Sequence, residues 1–163
     1  MLRRPTLVLL VRHGTTPTTG KVLPGRARGL HLSERGHEQA QRVAERIAEI
    51  GAVHAVYASP LERARETAAP IGKITKKPVR IERGLLECDF GQWTGASLRR
   101  LSKKPEWTTV QRTPSAFRFP DGESFLEMQH RIVDAVDTIR RRHIGKTVVC
   151  VSHADPIKAY VAH

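Results

Sequence analysis

Three short apolar runs along the chain each pass abruptly into polar residues able to do chemistry. Leu7–Val11 leads into Arg12-His13-Gly14-Thr15-Thr16, His54–Ala58 into Ser59-Pro60-Leu61-Glu62-Arg63, and Thr147–Val151 into Ser152-His153-Ala154-Asp155-Pro156. Runs of this length with no polar alternation suit strands covered on both faces, and the first is expected at the centre of a sheet. Helical spacing fills the intervals. Ala40, Val43, Ala44, Ile47 and Ala48 repeat on one face between an N-cap at Ser33 and a stop at Gly51. Phe125, Met128, Ile132, Val136 and Ile139 do the same from an N-cap at Ser124 to about His143 and Gly145. A third helix follows the second run, with Ser59 as N-cap, Pro60 as first helical residue and Glu62 closing a capping box, and it fades near Pro70-Ile71-Gly72. Pro78–Ile81 is a further short strand. Thr18 to Leu32, punctuated by Gly20, Pro24, Gly25 and Gly29, is a loop long enough to be functional and is placed at the rim of a pocket. Residues 96–119 predict short helices anchored by Trp107.

Composition narrows the class. At 163 residues the chain is one domain, able to bury roughly two-thirds of the surface its unfolded form exposes. Its two cysteines form no staple framework: Cys150 falls in an apolar strand, Cys88 beside Glu87 is placed near the site, and a reducing, cytoplasmic setting is expected. Met1–Pro5 carries basic residues, but the apolar run behind it is too short for a signal peptide, and no stretch approaches membrane-spanning length. The net charge of +12 gathers at Lys73, Lys76 and Lys77, at Arg99, Arg100, Lys103 and Lys104, and at Arg140, Arg141, Arg142 and Lys146. Aromatic residues make up only 5% of the chain, so these clusters lack the interleaved stacking platforms of single-strand binders. They are read as a solvated surface that draws in anions; no specific nucleic-acid partner and no membrane partner is expected.

If the three runs are parallel strands, Arg12, His13, Arg63 and His153 meet at the carboxyl edge of the sheet, where open α/β folds bind ligands. Two guanidiniums, two imidazoles and a helix N-terminus suit a phosphoryl group. Further along, Leu86-Glu87-Cys88-Asp89-Phe90 sets carboxylates among apolar and aromatic neighbours, which raises a carboxyl pKa by desolvation. On spacing alone either Glu87 or Asp89 serves as a proton donor or merely caps a turn. His31 and His37 lack partners at ligand spacing and are read as surface residues, so no metal is expected.

Arg12-His13-Gly14 with Thr16, Ser59-Pro60-Leu61-x-Arg63-Ala64-x-x-Thr67, Leu86-Glu87 leading to Gly91-x-Trp93-x-Gly95, and Ser152-His153 together resemble the histidine phosphatase superfamily, in the branch related to cofactor-dependent phosphoglycerate mutase. The resemblance runs from about Leu7 to the last residue. It implies a three-layer α/β/α sandwich with a mostly parallel central sheet, a helical cap inserted at roughly 96–123, and a phosphomonoesterase acting on a small phosphorylated metabolite. It also implies His13 as nucleophile and Glu87 as proton donor, with Arg12, Thr19, Arg63, His153 and the backbone of Ala154 binding phosphate, and no cofactor. The expectation is that Arg12 and Arg63 hold His13 neutral. Members usually continue well beyond the point reached at His163, so the C-terminal part of the family fold is expected to be absent or truncated. Thr19 stands where the family commonly has Asn, Thr15 where Glu is frequent, and Ala154-Asp155 where Gly-Gly is common. These changes leave the phosphotransfer residues in place and bear on the substrate. The alternatives are a mutase-type phosphotransferase and a non-catalytic regulatory or nucleic-acid-binding module on the same fold; the oligomeric state is left open, a homodimer being one option.

Overall fold

The computed structural model describes residues 5–163; Met1–Arg4, most of the basic N-terminal segment, lies outside them. Four strands, β1 (Leu7–Arg12), β2 (Ala55–Ala58), β3 (Val79–Ile81) and β4 (Thr147–Ser152), form one sheet in the order β1-β4-β2-β3, with every pairing parallel. The helices are α1 (Glu34–Ile50), α2 (Glu62–Thr75), α3 (Leu98–Leu101), α4 (Trp107–Arg112), α5 (Phe125–Arg142) and α6 (Ala154–Val161).

Successive residues of β4 serve opposite faces. Val149 and Val151 pack with Ala44 and Ile47 of α1 and Ala64, Ala68 and Ile71 of α2, whereas Val148 and Cys150 pack with Ile132, Val136 and Ile139 of α5. Coverage on both sides explains why the strand reads as an unbroken apolar run. β4 and β2, not β1, are the interior strands of this sheet. β1 pairs with β4 alone, and Leu7 at its start is exposed, so the expectation of a central first strand is not met among the described residues.

Two of the predicted caps form. Ser33 Oγ accepts from Gly36 N at the head of α1, and Ser124 and Glu127 exchange both bonds of a capping box at the head of α5. The capping box at Ser59 does not. The residue before α2 is Leu61, in extended conformation with no side-chain cap bond, and the Ser59 hydroxyl is engaged instead by His153 Nε2 at 2.8 Å. The ring of His153 is fully buried, and a buried ring nitrogen without a partner is costly, which commits the serine hydroxyl to it. α2 also continues through Pro70 to Thr75, and Lys76 ends it in the left-handed region; Ile71 and Gly72, fully buried against the sheet, hold it past the proline.

A third apolar cluster lies beyond the sheet edge. Phe90, Trp93, Leu101, Phe119 and Met128 form its centre, with Trp107 stacked on Trp93 at 6.2 Å between ring centroids. It seats α3 and α4, the short helices expected around Trp107.

Candidate active site

The chain leaves β1 toward α1 on one face and leaves β4 toward α6, which packs on α5, on the other. Adjacent parallel strands whose connections diverge to opposite faces open a crevice at their carboxyl ends. Arg12 and Ser152 are partners in the β1–β4 register, so the residues that follow them, His13 and His153, emerge side by side. Their ring centroids are 5.2 Å apart.

The backbone turn after His13 is held tightly. Gly14 N donates to Thr67 Oγ1 at 3.0 Å, and that hydroxyl in turn donates to the Arg63 carbonyl one turn earlier in α2. A Cβ on Gly14 would fall 2.5 Å from the Gly36 carbonyl oxygen, so only glycine permits this approach of the turn to the first residues of α1. Thr15 N donates to Gln39 Oε1 of α1, and Thr19 Oγ1 accepts from Thr16 N. Thr15, Thr19, Gln39 and Thr67 line a cavity of about 330 Å³ together with Arg12 and His13.

His13 Nδ1 sits 2.7 Å from the Gly14 carbonyl oxygen. A carbonyl only accepts, so Nδ1 carries the proton and Nε2 presents its lone pair. The pKa of His13 is lowered to about 4, first by burial and then, against the opposing Gly14 bond, by the charges of Arg63 and Arg12. The expected neutral imidazole is therefore present, with burial a larger cause than the arginines.

Arg63 is fully buried, and its Nη2 donates to the Gly25 carbonyl at 2.8 Å, which gives the 18–32 loop its role at the site. Its Nε and Nη1 are buried with no acceptor among the described residues, and so is Nδ1 of His153. Ser59 accepts from Leu61 N and lies against His153 Nε2, an arrangement that leaves the ring proton on Nδ1 when the hydroxyl donates. Burial and the charge of Arg63 keep His153 well below its ordinary pKa, so it is neutral. Arg12 is exposed at the mouth, and its side chain makes no hydrogen bond or ion pair with any described residue. Ala154 opens α6 directly after His153.

Glu87 and Asp89, equivalent by spacing, differ in environment. Asp89 is turned outward, where it accepts from Gly91 N and pairs with Arg26 at 3.6 Å. Glu87 is buried, its Oε1 accepting from Cys88 N, and its pKa is raised to about 8 by burial and then by the charge of Asp155. Cys88 is packed among Phe90, Trp93 and Met128, and burial pushes its thiol up; Cys150, in the sheet, is pushed up to about 12, also by burial. Neither is activated.

Charge spacing concealed the support for this loop. Arg131 of α5 donates to the carbonyls of Gly84 and Leu86 at 2.8 and 2.9 Å and to that of Glu87 at 3.3 Å, while its Nε meets Glu123. Arg26 donates to the Glu87 carbonyl from the other side at 2.9 Å and pairs with Glu123 as well. Arg131→Met is therefore expected to lower the unfolding free energy by roughly 2–4 kcal/mol, since it leaves three carbonyls and a half-buried carboxylate short of donors. Urea denaturation measures this, and a change under about 1 kcal/mol would show that water replaces the guanidinium freely.

Among the described residues no three His, Cys, Asp or Glu side chains gather as a metal site requires, and no helix is long and apolar enough to cross a membrane. His31 is exposed and paired with Glu66.

The model of the histidine phosphatase superfamily (branch 1) matches residues 8–163. Phosphoserine phosphatase 1 of Hydrogenobacter thermophilus is 32% identical over 157 residues, which cover 93% of this chain and 72% of that protein. A bifunctional protein of Mycobacterium tuberculosis is 34% identical over 161 residues, and the chain spans only 43% of its length. Among solved structures, mycobacterial glucosyl-3-phosphoglycerate phosphatase superposes with a TM-score of 0.86 at 27% identity, covering 98% of this chain and 78% of that one.

Proposed function

The chain belongs to the histidine phosphatase superfamily, and on that premise we propose that it is a phosphomonoesterase that hydrolyses a small phosphorylated metabolite through a phosphohistidine on His13. The observation that carries this reading is the group of buried, unpartnered donors beside His13: Nε and Nη1 of Arg63 and Nδ1 of His153. Each such donor costs about 1–3 kcal/mol while unpaired. A tetrahedral anion supplies the missing acceptors, and its equatorial oxygens are where charge must be held during phosphoryl transfer.

His13 Nε2 attacks phosphorus in line as the bond to the ester oxygen breaks. Glu87 gives its proton to that oxygen, so the alcohol leaves neutral and a phosphorylated imidazole remains. Glu87, now a carboxylate, takes a proton from the water that attacks the phosphohistidine; inorganic phosphate departs, and the starting protonation states return. Arg12, Arg63, His153, Thr19 and the Ala154 N–H hold the phosphoryl oxygens, and the 96–123 segment caps the site. Groups of this chain, side chains and one backbone N–H, handle every proton and charge in the scheme, so no metal or cofactor is assigned a role. Two buried free cysteines accord with work in the reducing cytoplasm.

The opposed pKa shifts of His13 and Glu87 define a window for phosphoryl transfer. His13 must be deprotonated, and Glu87 protonated where the leaving group needs a proton, so kcat/KM for an alkyl phosphate should rise as pH climbs through about 4 and fall as it passes about 8, while 4-nitrophenyl phosphate should show the same rise and a much shallower fall. Glu87→Gln should remove the upper limb for the alkyl ester and keep the lower one. Absence of phosphate release from every ester tried across this range would contradict the reading.

A further inference from the structure

Asp155 is an acidic residue placed where an enzyme for anions would be expected to avoid one. It occupies the first turn of α6, two residues after His153, and its carboxylate makes no hydrogen bond or ion pair of 4.0 Å or less with any described residue. It still acts on the site: its charge raises the pKa of Glu87, and the charge of Arg12 bears on Asp155 in turn. Burial raises the pKa of Asp155, and Lys158 and Arg12 oppose that shift.

The same residue lines a second cavity, of about 610 Å³, whose walls include Leu23, Phe90, Trp107, Phe119 and Met128. Leu23 belongs to the loop that offers Gly25 to Arg63, Phe90 lies three residues after Glu87, and Asp155 two after His153, so the segments that line this cavity are the ones that carry the phosphate site. An ester group extending from phosphorus past Glu87 into that space meets apolar surface and one half-buried carboxylate. Lys158 also borders the cavity but is exposed, where solvent screens its charge.

From this arrangement, and resting on the phosphatase reading above, we propose that Asp155 selects the alcohol part of the substrate, favouring phosphate monoesters whose leaving group carries an ammonium or other cation over those carrying a carboxylate or a second phosphate. A cation there gains an ion pair with a carboxylate that otherwise has no partner. A carboxylate there is forced against a like charge in partly desolvated surroundings, so discrimination comes as much from repulsion as from attraction. At neutral pH the Glu87 carboxyl is protonated and adds no second negative charge, which leaves Asp155 as the acidic group that sets the sign.

The test compares kcat/KM for O-phosphoethanolamine, ethyl phosphate and 2-phosphoglycolate in the wild type, Asp155→Asn and Asp155→Ala. The preference for phosphoethanolamine over phosphoglycolate should be largest in the wild type and should shrink by about tenfold or more in both variants, with ethyl phosphate as the neutral reference between them. Ratios taken within one protein cancel any loss of folded enzyme, and wild-type-to-variant comparison cancels the intrinsic reactivity of the esters. Two substitutions of different size guard against a folding defect in either. A ratio that both variants leave unmoved, or a wild type that prefers phosphoglycolate, overturns the selection by Asp155 while the phosphatase reading stands. Failure of the wild type to hydrolyse these esters or 4-nitrophenyl phosphate would instead overturn that reading.

Discussion

His13→Ala is expected to lower kcat/KM for every phosphate monoester by about four orders of magnitude or more, the largest effect of any single substitution in the chain. The size follows from what the residue does in the proposed scheme: without Nε2 no covalent intermediate forms, and water must attack the ester directly. Arg63, His153 and Ala154 would still bind phosphate, so KM or the inhibition constant of inorganic phosphate should change far less than kcat. The substitution should also be tolerated structurally. The ring of His13 is only partly buried, and the bond from its backbone N–H to the Ser152 carbonyl at 3.1 Å is kept by alanine. Loss of binding in parallel with loss of turnover would point to a collapsed site.

Glu87→Gln should produce the second largest loss, and one that depends on the leaving group. An alkoxide needs a proton as the P–O bond breaks, whereas a nitrophenolate departs as an anion with little help. The phosphorylation step should therefore slow by about a hundredfold or more for an alkyl phosphate and much less for 4-nitrophenyl phosphate. Hydrolysis of the phosphohistidine, for which Glu87 is the base, should slow equally for both. Asp89→Asn should alter neither step, since Asp89 faces outward to Arg26 and the Gly91 amide. Single-turnover kinetics with both esters separates the two steps, and equal losses in the phosphorylation step would remove Glu87 as the acid.

Arg12, His13 and His153 were legible as neighbours because each follows an apolar run by one or two positions, and runs of that kind become parallel strands whose ends coincide; Arg63 comes five residues after the second run, inside the helix that follows it. The heads of α1 and α5 were legible for a local reason: Ser33 and Ser124 bond to amides three residues away. Ser59 defeated the same logic. Its partner, His153, is 94 residues distant, and a serine-proline step before an acidic residue has the same local pattern whether or not that partner exists. Arg26, Glu123 and Arg131 were hidden likewise. Each resembles an ordinary solvated charge, and only the meeting of three chain segments makes them the clamp on the Glu87 loop. The interior place of β4 was illegible because burial on both faces and an interior position in the sheet order produce similar apolar runs. Gln39 sits among charged residues of α1 and gives no sign of the Thr15 amide it accepts from.

The most direct measurement traps the intermediate. Wild-type protein mixed with a 32P-labelled alkyl phosphate and quenched in base within one turnover should carry label approaching one phosphate per chain, on His13 Nε2, through a bond that acid cleaves and base spares. Label should build up further in Glu87→Gln with a good leaving group, because breakdown is slowed more than formation, and His13→Ala should carry none. Turnover of the ester without label on the protein, or label that persists in His13→Ala, would contradict the account.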